Sequence, residues 1–303
     1  RLPDILRQAF RAATSGAPGP VHLEMRGSHG HVVEEEGELE LIVEEPFKHY
    51  PAFRPEPEPE KIREAIKTLA QAERPIIVAG GGVTASQAKE EVVRVAELLS
   101  IPVATSLNGK ETIADNHPLS VGVVGTYSRA CANRAVAEAD LVFFIGSHTG
   151  SQVTNNWKVP PIGTTVIQLD IEAQELGKNY PNVVSLIGDA KVSLQKFIEA
   201  PPAKPRKDWL NRVQGYVKEW RAEVAAQRHS DAAPMRPERI CKEITEFLPD
   251  DAVVVSDTGH SGIWTGTMIE LNKRRQRYIR CAGSLGWAFP ASLGVKCALP
   301  DKP

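Results

Sequence analysis

The chain has 303 residues, of which 42% are hydrophobic and 24% charged, an ordinary composition for a globular protein. Its formal net charge of -2 gives no electrostatic basis for binding nucleic acid or an anionic membrane. No apolar run in the sequence reaches membrane-spanning length, and the four cysteines form neither a CxxC pair nor a Cys/His cluster. We therefore expect a cytoplasmic protein with neither a nucleic-acid nor a membrane partner.

The first segment of the chain predicts only part of a domain. Residues 2–13 carry apolar side chains at helical spacing, and residues 21–25 alternate like a strand. One helix and one strand cannot bury a core, so we expect residues 1–33 to complete a sheet that is formed elsewhere. Residues 34–59 are rich in glutamate and proline and predict an extended linker.

Residues 60–200 predict a central domain in which strands and helices alternate. Residues 74–82, RPIIVAGGG, form a buried strand that ends in three glycines, and residues 121–127 are interpreted as a glycine-rich loop. Further strands are expected at residues 101–105, 140–146, 165–170 and 183–187, and the last two are taken as the fifth and sixth strands of the domain. This alternation predicts a doubly wound, mainly parallel six-stranded sheet of the Rossmann type.

Small residues and acids follow these strands, at the edge of the sheet where doubly wound folds bind ligands. Glycine gives a phosphate access to the backbone, and an aspartate accepts hydrogen bonds from ribose hydroxyls, so the pattern favours nucleotide binding. An alternative stays open, since glycine and aspartate are also ordinary turn residues. The post-strand residues are Gly80, Gly81, Gly82, Ser106, Leu107, Gly146, Ser147, Asp170, Gly188 and Asp189.

The last third of the chain predicts a connection and a second α/β unit. Residues 201–235 combine a proline-rich stretch with a helical arm. In residues 236–303, a strand at 252–256 leads to the loop 257–262, and a strand at 278–281 leads to the loop 282–287. A helix is expected at 288–298, and we expect the unit to be incomplete after its two strands.

Taken in order, these motifs resemble the thiamine-diphosphate-dependent enzyme superfamily, and within it the acetolactate-synthase-like large subunits. PGPVHLEM (residues 18–25) is similar to the last strand of the family's pyrimidine-binding domain. RPIIVAGGG, VGVVGTY, FFIGS, IQLDIEAQELGKNY and IGDAK are similar to its central domain. DTGHSGIW (residues 257–264) and GSLGWAFPASLGVKCALPDKP (residues 283–303) are similar to the start of its diphosphate-binding domain.

The resemblance implies thiamine-diphosphate-dependent decarboxylation of a 2-keto acid such as pyruvate, followed by carboligation. The Gly283 carbonyl would accept a hydrogen bond from the cofactor's 4′-amino group, and Leu285 would be the apolar wedge that keeps the cofactor bent. The residues at the diphosphate would be Thr258, Gly259, His260 and Ser261. The activating glutamate and the GDG…N motif that binds Mg²⁺ are expected outside this chain, which should be inactive by itself.

In the synthase branch the central domain also binds FAD, in a role that is not redox. The matching positions in this sequence are Gly80, Gly81, Gly82, Ser106, Leu107, Gly125, Thr126, Gly146, Ser147, Asp170 and Asp189. After FFIG, FAD-binding synthases have an Arg/Asp-rich run, whereas this chain has SHTGSQ at residues 147–152. A charged partner for the FAD diphosphate is therefore not evident, and FAD binding stays open.

The resemblance also implies a homodimer or homotetramer, because the family's cofactor sites are built between subunits. Two alternatives to acetolactate-synthase-like activity remain. One is another 2-keto-acid decarboxylase or lyase of the same superfamily. The other is a non-catalytic module that binds FAD or another nucleotide.

Overall fold

The computed structural model describes residues 2–24, 40–201 and 205–302, and the chain divides into two compact units, Arg1–Pro55 and Glu56–Pro303. In the first unit, helix α1 (Leu2–Thr14) is followed by a short 3-10 turn (Glu45–Lys48). The guanidinium of Arg11 donates two hydrogen bonds of 2.7 Å to the Glu44 carboxylate and lies 4.4 Å from the centre of the buried Phe47 ring.

The strand predicted at residues 21–25 is wrong for its described part, because residues 21–24 are not in a strand. A strand needs a hydrogen-bonding partner, and the described residues of this unit contain no other strand. Met25, residues 26–33 and the first part of the predicted linker, residues 34–39, lie outside the described residues.

The second unit contains the repeating α/β elements. Its strands are β1 (Pro75–Ala79), β2 (Val103–Thr105), β3 (Ser120–Val123), β4 (Leu141–Ile145), β5 (Thr165–Asp170), β6 (Val184–Ile187), β7 (Val253–Ser256) and β8 (Arg277–Arg280). Its helices are α2 (Pro59–Gln71), α3 (Gly81–Ala85), α4 (Lys89–Leu99), α5 (Ala130–Glu138), α6 (Ala190–Ile198), α7 (Lys207–Arg228), α8 (Pro237–Phe247), α9 (His260–Met268) and α10 (Ala288–Ala298).

The central sheet has the strand order β3-β2-β1-β4-β5-β6, and every pairing in it is parallel. The predicted doubly wound, six-stranded parallel sheet is therefore confirmed. The direction of strand progression reverses between β1 and β4, which is where such sheets open a crevice at their carboxyl edge.

Helices cover both faces of this sheet, which explains why its strands have no polar side. Ile77 and Phe143 pack on one face with residues of α4 and α6, whereas Ile76 and Phe144 pack on the other face with α5 and α7. The predicted helical arm is α7, whose Trp209 indole N–H donates to the carbonyl oxygen of Pro75 at 2.9 Å. Burial on both faces is the main source of stability for these strands.

The interpretation of residues 121–127 as a loop is wrong for their first part, because Ser120–Val123 forms β3. Gly122 has a φ of +91°, and a Cβ at this position would lie 2.6 Å from Cδ of Arg129. Glycine is therefore needed here so that the strand can pass beneath the Arg129 side chain. A glycine with this role cannot be distinguished from a loop glycine by sequence alone.

The end of the second unit forms a smaller parallel pair, β7 and β8. Cys241 from α8, Tyr278 from β8, and Ile269 and Leu271 between α9 and β8 form its buried cluster. The α10 helix lies beside β7 and contributes no buried residue. None of the described helices combines the length and apolarity needed to cross a membrane.

Candidate functional site

Two loops meet at the carboxyl ends of β7 and β8, and the Asp257 carboxylate joins them. Its Oδ1 accepts hydrogen bonds from the backbone N–H of Thr258 at 2.8 Å and of Gly286 at 3.0 Å, and its Oδ2 accepts from Ala288 N–H at 2.9 Å. The hydrogen bonds from Ala288 and Thr258 lower the pKa of Asp257 below its usual value. We call this arrangement the Asp257 clamp.

A second contact closes the same pair of loops. The Thr258 hydroxyl donates to the carbonyl oxygen of Cys281 at 2.8 Å, directly after β8. The first loop is therefore held both to the end of β8 and, through Asp257, to the start of α10. These contacts bring the predicted diphosphate residues and the predicted wedge into one small region.

Leu285 occupies an unusual position in this region, because the side chain is 79% exposed. Its Cδ2 faces Gly259 and would lie 3.7 Å from a Cβ at that position. Phe289, 75% exposed, and Leu293 continue the apolar stripe along α10 at helical spacing. An exposed stripe of large apolar side chains beside a polar loop is typical of a surface that receives a ligand or another protein segment.

The other predicted residues lie close by. Gly283 has a φ of +91°, and no atom lies within 4 Å of the position that its Cβ would take, so its backbone is open to approach. His260 is the first residue of α9, and the Ser261 hydroxyl donates to the carbonyl oxygen of Thr258 at 3.1 Å. The N-terminal turn of α9 thus follows directly on Gly259, the geometry of a helix N-terminus that can accept an anion.

The role of Asp257 was not identified from the sequence, although the residue was placed in the right loop. An aspartate directly after a strand and before Thr-Gly is a signal for a side chain that accepts backbone N–H groups of the next turn. Its bonds to Gly286 and Ala288, however, span 29 and 31 residues and depend on how the second loop returns.

At the carboxyl edge of the central sheet, the predicted glycines lie against each other. Gly80 N–H donates to the carbonyl oxygen of Ile145 at 2.8 Å, and Gly82 N–H donates to that of Gly146 at 2.9 Å. A Cβ on Gly80 would overlap the Gly146 carbonyl oxygen. Gly81 begins α3 beside Asn108. The glycines therefore let the turns after β1 and β4 pack in direct backbone contact, and two of their amides have internal acceptors.

Ser106 and Leu107 also make contacts within the protein. The Ser106 hydroxyl accepts from Gly109 N–H at 3.1 Å and caps the 3-10 turn Leu107–Thr112. The Leu107 side chain fills the space beside Gly266 of α9, where a Cβ would overlap it.

The turn after β3 is tied to its surroundings in the same way. Gly125 N–H donates to Oδ1 of Asn133 at 2.8 Å, and Thr126 N–H donates to the carbonyl oxygen of Gln152 at 2.7 Å. A Cβ on Gly125 would overlap that same Gln152 oxygen. Glycine is required here by packing.

The two predicted acids differ in how their oxygens are used. Asp189 caps α6, with Oδ1 accepting from Lys191 and Val192 N–H, and its Oδ2 accepts from the Ser86 hydroxyl at 2.7 Å. Asp170, which is 4% exposed, accepts from Glu172 N–H through Oδ1, whereas its buried Oδ2 has no hydrogen-bond partner in the described part of the chain. Burial raises the pKa of Asp170.

Ser147 lies two residues after the end of β4, the strand next to β5, which ends in Asp170. It is buried, its carbonyl oxygen accepts from the Gln168 amide at 3.1 Å, and its hydroxyl accepts from Thr149 N–H. The unpaired Asp170 oxygen and the buried Ser147 are the features of this edge that fit a nucleotide best, because a ribose hydroxyl can donate to the free carboxylate oxygen.

Metal and thiol chemistry have little support in the residues that the structure describes. Among them, no group of three or more His, Cys, Asp or Glu side chains is arranged to hold a metal ion. Burial raises the pKa of the Cys131 and Cys241 thiols to about 11, so neither is activated as a nucleophile.

Comparison with known proteins agrees with the observed fold. Residues 62–197 match the family described as "Thiamine pyrophosphate enzyme, central domain". Over 99% of its length, the chain is 33% identical to a probable acetolactate synthase large subunit of Methanococcus aeolicus and covers 52% of that protein. It is 32% identical to a glyoxylate carboligase of Escherichia coli O157:H7, with 99% of this chain and 51% of that protein covered.

A third relative, the acetolactate synthase large subunit of Buchnera aphidicola subsp. Schizaphis graminum, is 28% identical, with 99% of this chain and 52% of that protein covered. The chain thus spans about half the length of the curated relatives it matches. The family match lies within the central sheet region, and the matches to the curated relatives extend over 99% of this chain. The chain is thus similar to thiamine-diphosphate-dependent enzymes, and within them to the acetolactate synthase large subunits.

Proposed function

We propose that the whole protein catalyses thiamine-diphosphate-dependent decarboxylation of a 2-keto acid, such as pyruvate, and joins the product to a second carbonyl compound. The Asp257 clamp is the observation that carries this proposal, since it holds the exposed Leu285 opposite Gly259 at the start of α9. The names of the relatives, acetolactate synthase and glyoxylate carboligase, support the same class of reaction.

The residues present fit the cofactor. Gly259 and the first turn of α9, with His260 and Ser261, would hold the diphosphate through backbone N–H groups and the helix N-terminus. Leu285 would support the bent cofactor from below, and the open Gly283 carbonyl would accept from its amino group. When bound, thiamine diphosphate would supply an acidic thiazolium carbon, whose conjugate base is a nucleophile, and a thiazolium ring that accepts the electron pair released on decarboxylation. Mg²⁺ would accompany the diphosphate with ligands from outside this chain.

The test is release of carbon dioxide from pyruvate by the whole protein with thiamine diphosphate and Mg²⁺. We expect release in the wild type and a loss of about tenfold or more in Leu285→Ala, because a misplaced cofactor loses its reactive geometry. Leu41→Ala, which removes the same side chain from an exposed position outside this site and outside the stripe, is the matched control and should retain activity. Absence of release from pyruvate, glyoxylate and every other 2-keto acid tried would refute the proposal.

A second function is supported by the buried and unpaired oxygen of Asp170: binding of FAD or another adenine nucleotide at the carboxyl edge of the central sheet. In this proposal a ribose hydroxyl donates to Asp170 Oδ2. Fluorescence titration of FAD and calorimetric titration of ADP, each with the wild type and Asp170→Asn, test it. We expect about tenfold weaker binding in the variant. Equal affinity of both proteins, or no binding by either, would contradict the proposal.

The domain boundaries and the assembly are part of the same proposal. We propose that residues 1–33 end a pyrimidine-binding domain, 60–200 form the central domain, and 236–303 begin the diphosphate-binding domain, with 34–59 and 201–235 as connections. The exposed stripe of α10 supports assembly of the whole protein as a homodimer or homotetramer. A strictly monomeric mass in light scattering would contradict this assembly.

A further inference from the structure

A buried cluster of charged side chains lies between the central sheet and the segment that leads to β8. It consists of Lys110, Glu111 and Asp115, which follow β2, together with Arg129 before α5, and all four are buried. We call it the charged junction. None of these residues belongs to the predicted cofactor sites, and buried charges are retained only where they are paired.

Asp115 and Arg129 fix the segment after α9. Leu271 N–H donates to Asp115 Oδ2 at 2.7 Å, and Asp115 N–H donates back to the carbonyl oxygen of Leu271 at 2.9 Å. Arg129 donates to Asp115 Oδ1 at 2.6 Å and to the carbonyl oxygen of Thr267 at 2.8 Å. The end of α9 and the chain beyond it are therefore attached to the central sheet at two points.

Glu111 makes the corresponding contact with β8 itself. The side chain is 1% exposed, and its Oε2 accepts from the backbone N–H of Tyr278 at 2.8 Å. Lys89 forms an ion pair with the other carboxylate oxygen, and Arg277 Nε lies 3.8 Å from Oε2. Because Arg277 N–H points to β7, Tyr278 N–H points away from it, and the Glu111 carboxylate that accepts from Tyr278 holds β8 at a fixed position beside the central sheet.

Tyr278 transmits this position to the Asp257 clamp. Its hydroxyl bonds Thr265 Oγ1 at 2.9 Å, and Thr265 Oγ1 bonds Ser256 Oγ at 2.6 Å. Ser256 is the last residue of β7 and directly precedes Asp257. At the other end, β8 runs into Cys281, whose carbonyl oxygen accepts from the Thr258 hydroxyl. The positions of the carboxyl ends of β7 and β8, which lead into the two loops of the Asp257 clamp, therefore depend on Tyr278.

We propose that Glu111 is a positioning residue for the diphosphate site: by holding the backbone N–H of Tyr278, it sets β8 so that the loop 282–287 reaches Asp257. Glu111 lies on the central sheet side and touches no reacting atom. The consequence for cofactor binding rests on the proposed function, whereas the consequence for the order of the loops does not.

Hydrogen exchange of the cofactor-free whole protein tests the effect on the loops. We expect Glu111→Ala to speed amide exchange in residues 277–288 by about tenfold, the effect of losing one hydrogen bond to a charged acceptor. Glu111→Gln, which keeps an oxygen for Tyr278 N–H, should restore most of the protection. Arg206→Ala is the control, because Arg206 donates to the carbonyl oxygens of Leu69, Ala72 and Leu99 and contacts neither loop.

The effect on function is measured in the same three variants as thiamine diphosphate affinity with Mg²⁺ and as the separate changes in kcat and KM. Each protein is measured at the same number of degrees below its own Tm. We expect weaker cofactor affinity in Glu111→Ala, partial recovery of that affinity in Glu111→Gln, and wild-type affinity in Arg206→Ala. Exchange in 277–288 that is equal in Glu111→Ala and Arg206→Ala would overturn the inference. If the wild type binds no thiamine diphosphate, the proposed function fails, and the exchange result alone decides the role of Glu111.

Discussion

Two glycine-containing loops, one between β1 and α3 and one between β8 and α10, have different surroundings. In the turn after β1, Gly80 and Gly82 donate their N–H groups to the end of β4, and a Cβ on Gly80 would overlap the backbone there. In the loop after β8, Gly283 and Gly286 have no atom within 4 Å of the position of a Cβ. The first turn is filled by protein, and the second is open.

A glycine loop that can bind a ligand differs from a glycine loop that serves packing in the accessibility of its backbone. A loop can receive a ligand when its backbone is accessible and its shape is held from outside, as Asp257 holds the loop after β8. At the central edge, the available group is instead the unpaired oxygen of Asp170. The chemistry proposed for this protein therefore lies with the second turn.

The largest effect is expected at Gly80. Gly80→Ala should lower the free energy of unfolding by about 3 kcal/mol, because the added methyl group meets backbone atoms of Gly146 that cannot move aside. Urea unfolding measures this change. Gly215→Ala in α7 is the control, since its Cβ would meet no atom within 4 Å, and alanine in a helix should add roughly 0.5–1 kcal/mol. Wild-type stability in Gly80→Ala would mean that this turn is not packed as described.

A substitution at Asp257 should act on binding more than on folding. In Asp257→Ala the N–H groups of Thr258, Gly286 and Ala288 lose their acceptor, so the two loops separate while the central sheet stays intact. We expect thiamine diphosphate to bind the whole protein about tenfold or more weakly, with little change in Tm. Calorimetric titration and a thermal melt measure the two quantities. An unchanged affinity would show that the Asp257 clamp does not contribute to cofactor binding.

The smallest effect concerns Lys110 in the charged junction that connects the two regions. Burial lowers the pKa of Lys110 to about 8 from its ordinary 10.5, with repulsion from Arg129 acting in the same direction and attraction to Asp115 opposing it. Above about pH 8, the unfolded chain therefore binds more protons than the folded chain at this site, and stability rises with pH.

Lys110→Met lacks this titration and is the reference for the measurement. From about pH 8 to about pH 9, the wild type should gain about 1 kcal/mol in unfolding free energy relative to Lys110→Met. The comparison between the two proteins cancels groups on which Lys110 does not act, such as the Cys131 thiol, whose raised pKa acts in the opposite direction. Parallel pH profiles would show that Lys110 keeps an ordinary pKa.

Much of the fold was predictable because the residue patterns of its most apolar elements fit only one type of secondary structure. The apolar runs at β1 and β4 lack a polar face, and β5 and α10 were predicted with the bounds that the structure has. The strand Ser120–Val123 was not predicted, because its Gly122 is required by contact with the Arg129 side chain and not by a turn. Residues 21–24 have strand alternation but no strand beside them.

The site was predictable only as a set of loops. Sequence order placed Thr258, Gly259, Gly283 and Leu285 in the two loops after β7 and β8, but Asp257 acts on residues 29 and 31 positions away. The charged junction spans still longer separations, 156 residues between Asp115 and Leu271 and 167 between Glu111 and Tyr278. Such contacts follow from the packing of β8 beside the central sheet and have no local pattern.

The most direct measurement is hydrogen exchange of the whole protein with and without thiamine diphosphate and Mg²⁺. We expect slower exchange in residues 257–261 and 282–288, where the Asp257 clamp joins the two open loops. We expect no change at residues 80–82 and 146, where the glycines are in contact with each other. Protection confined to residues 80–82 and 146, or no protection at either place, would contradict the account.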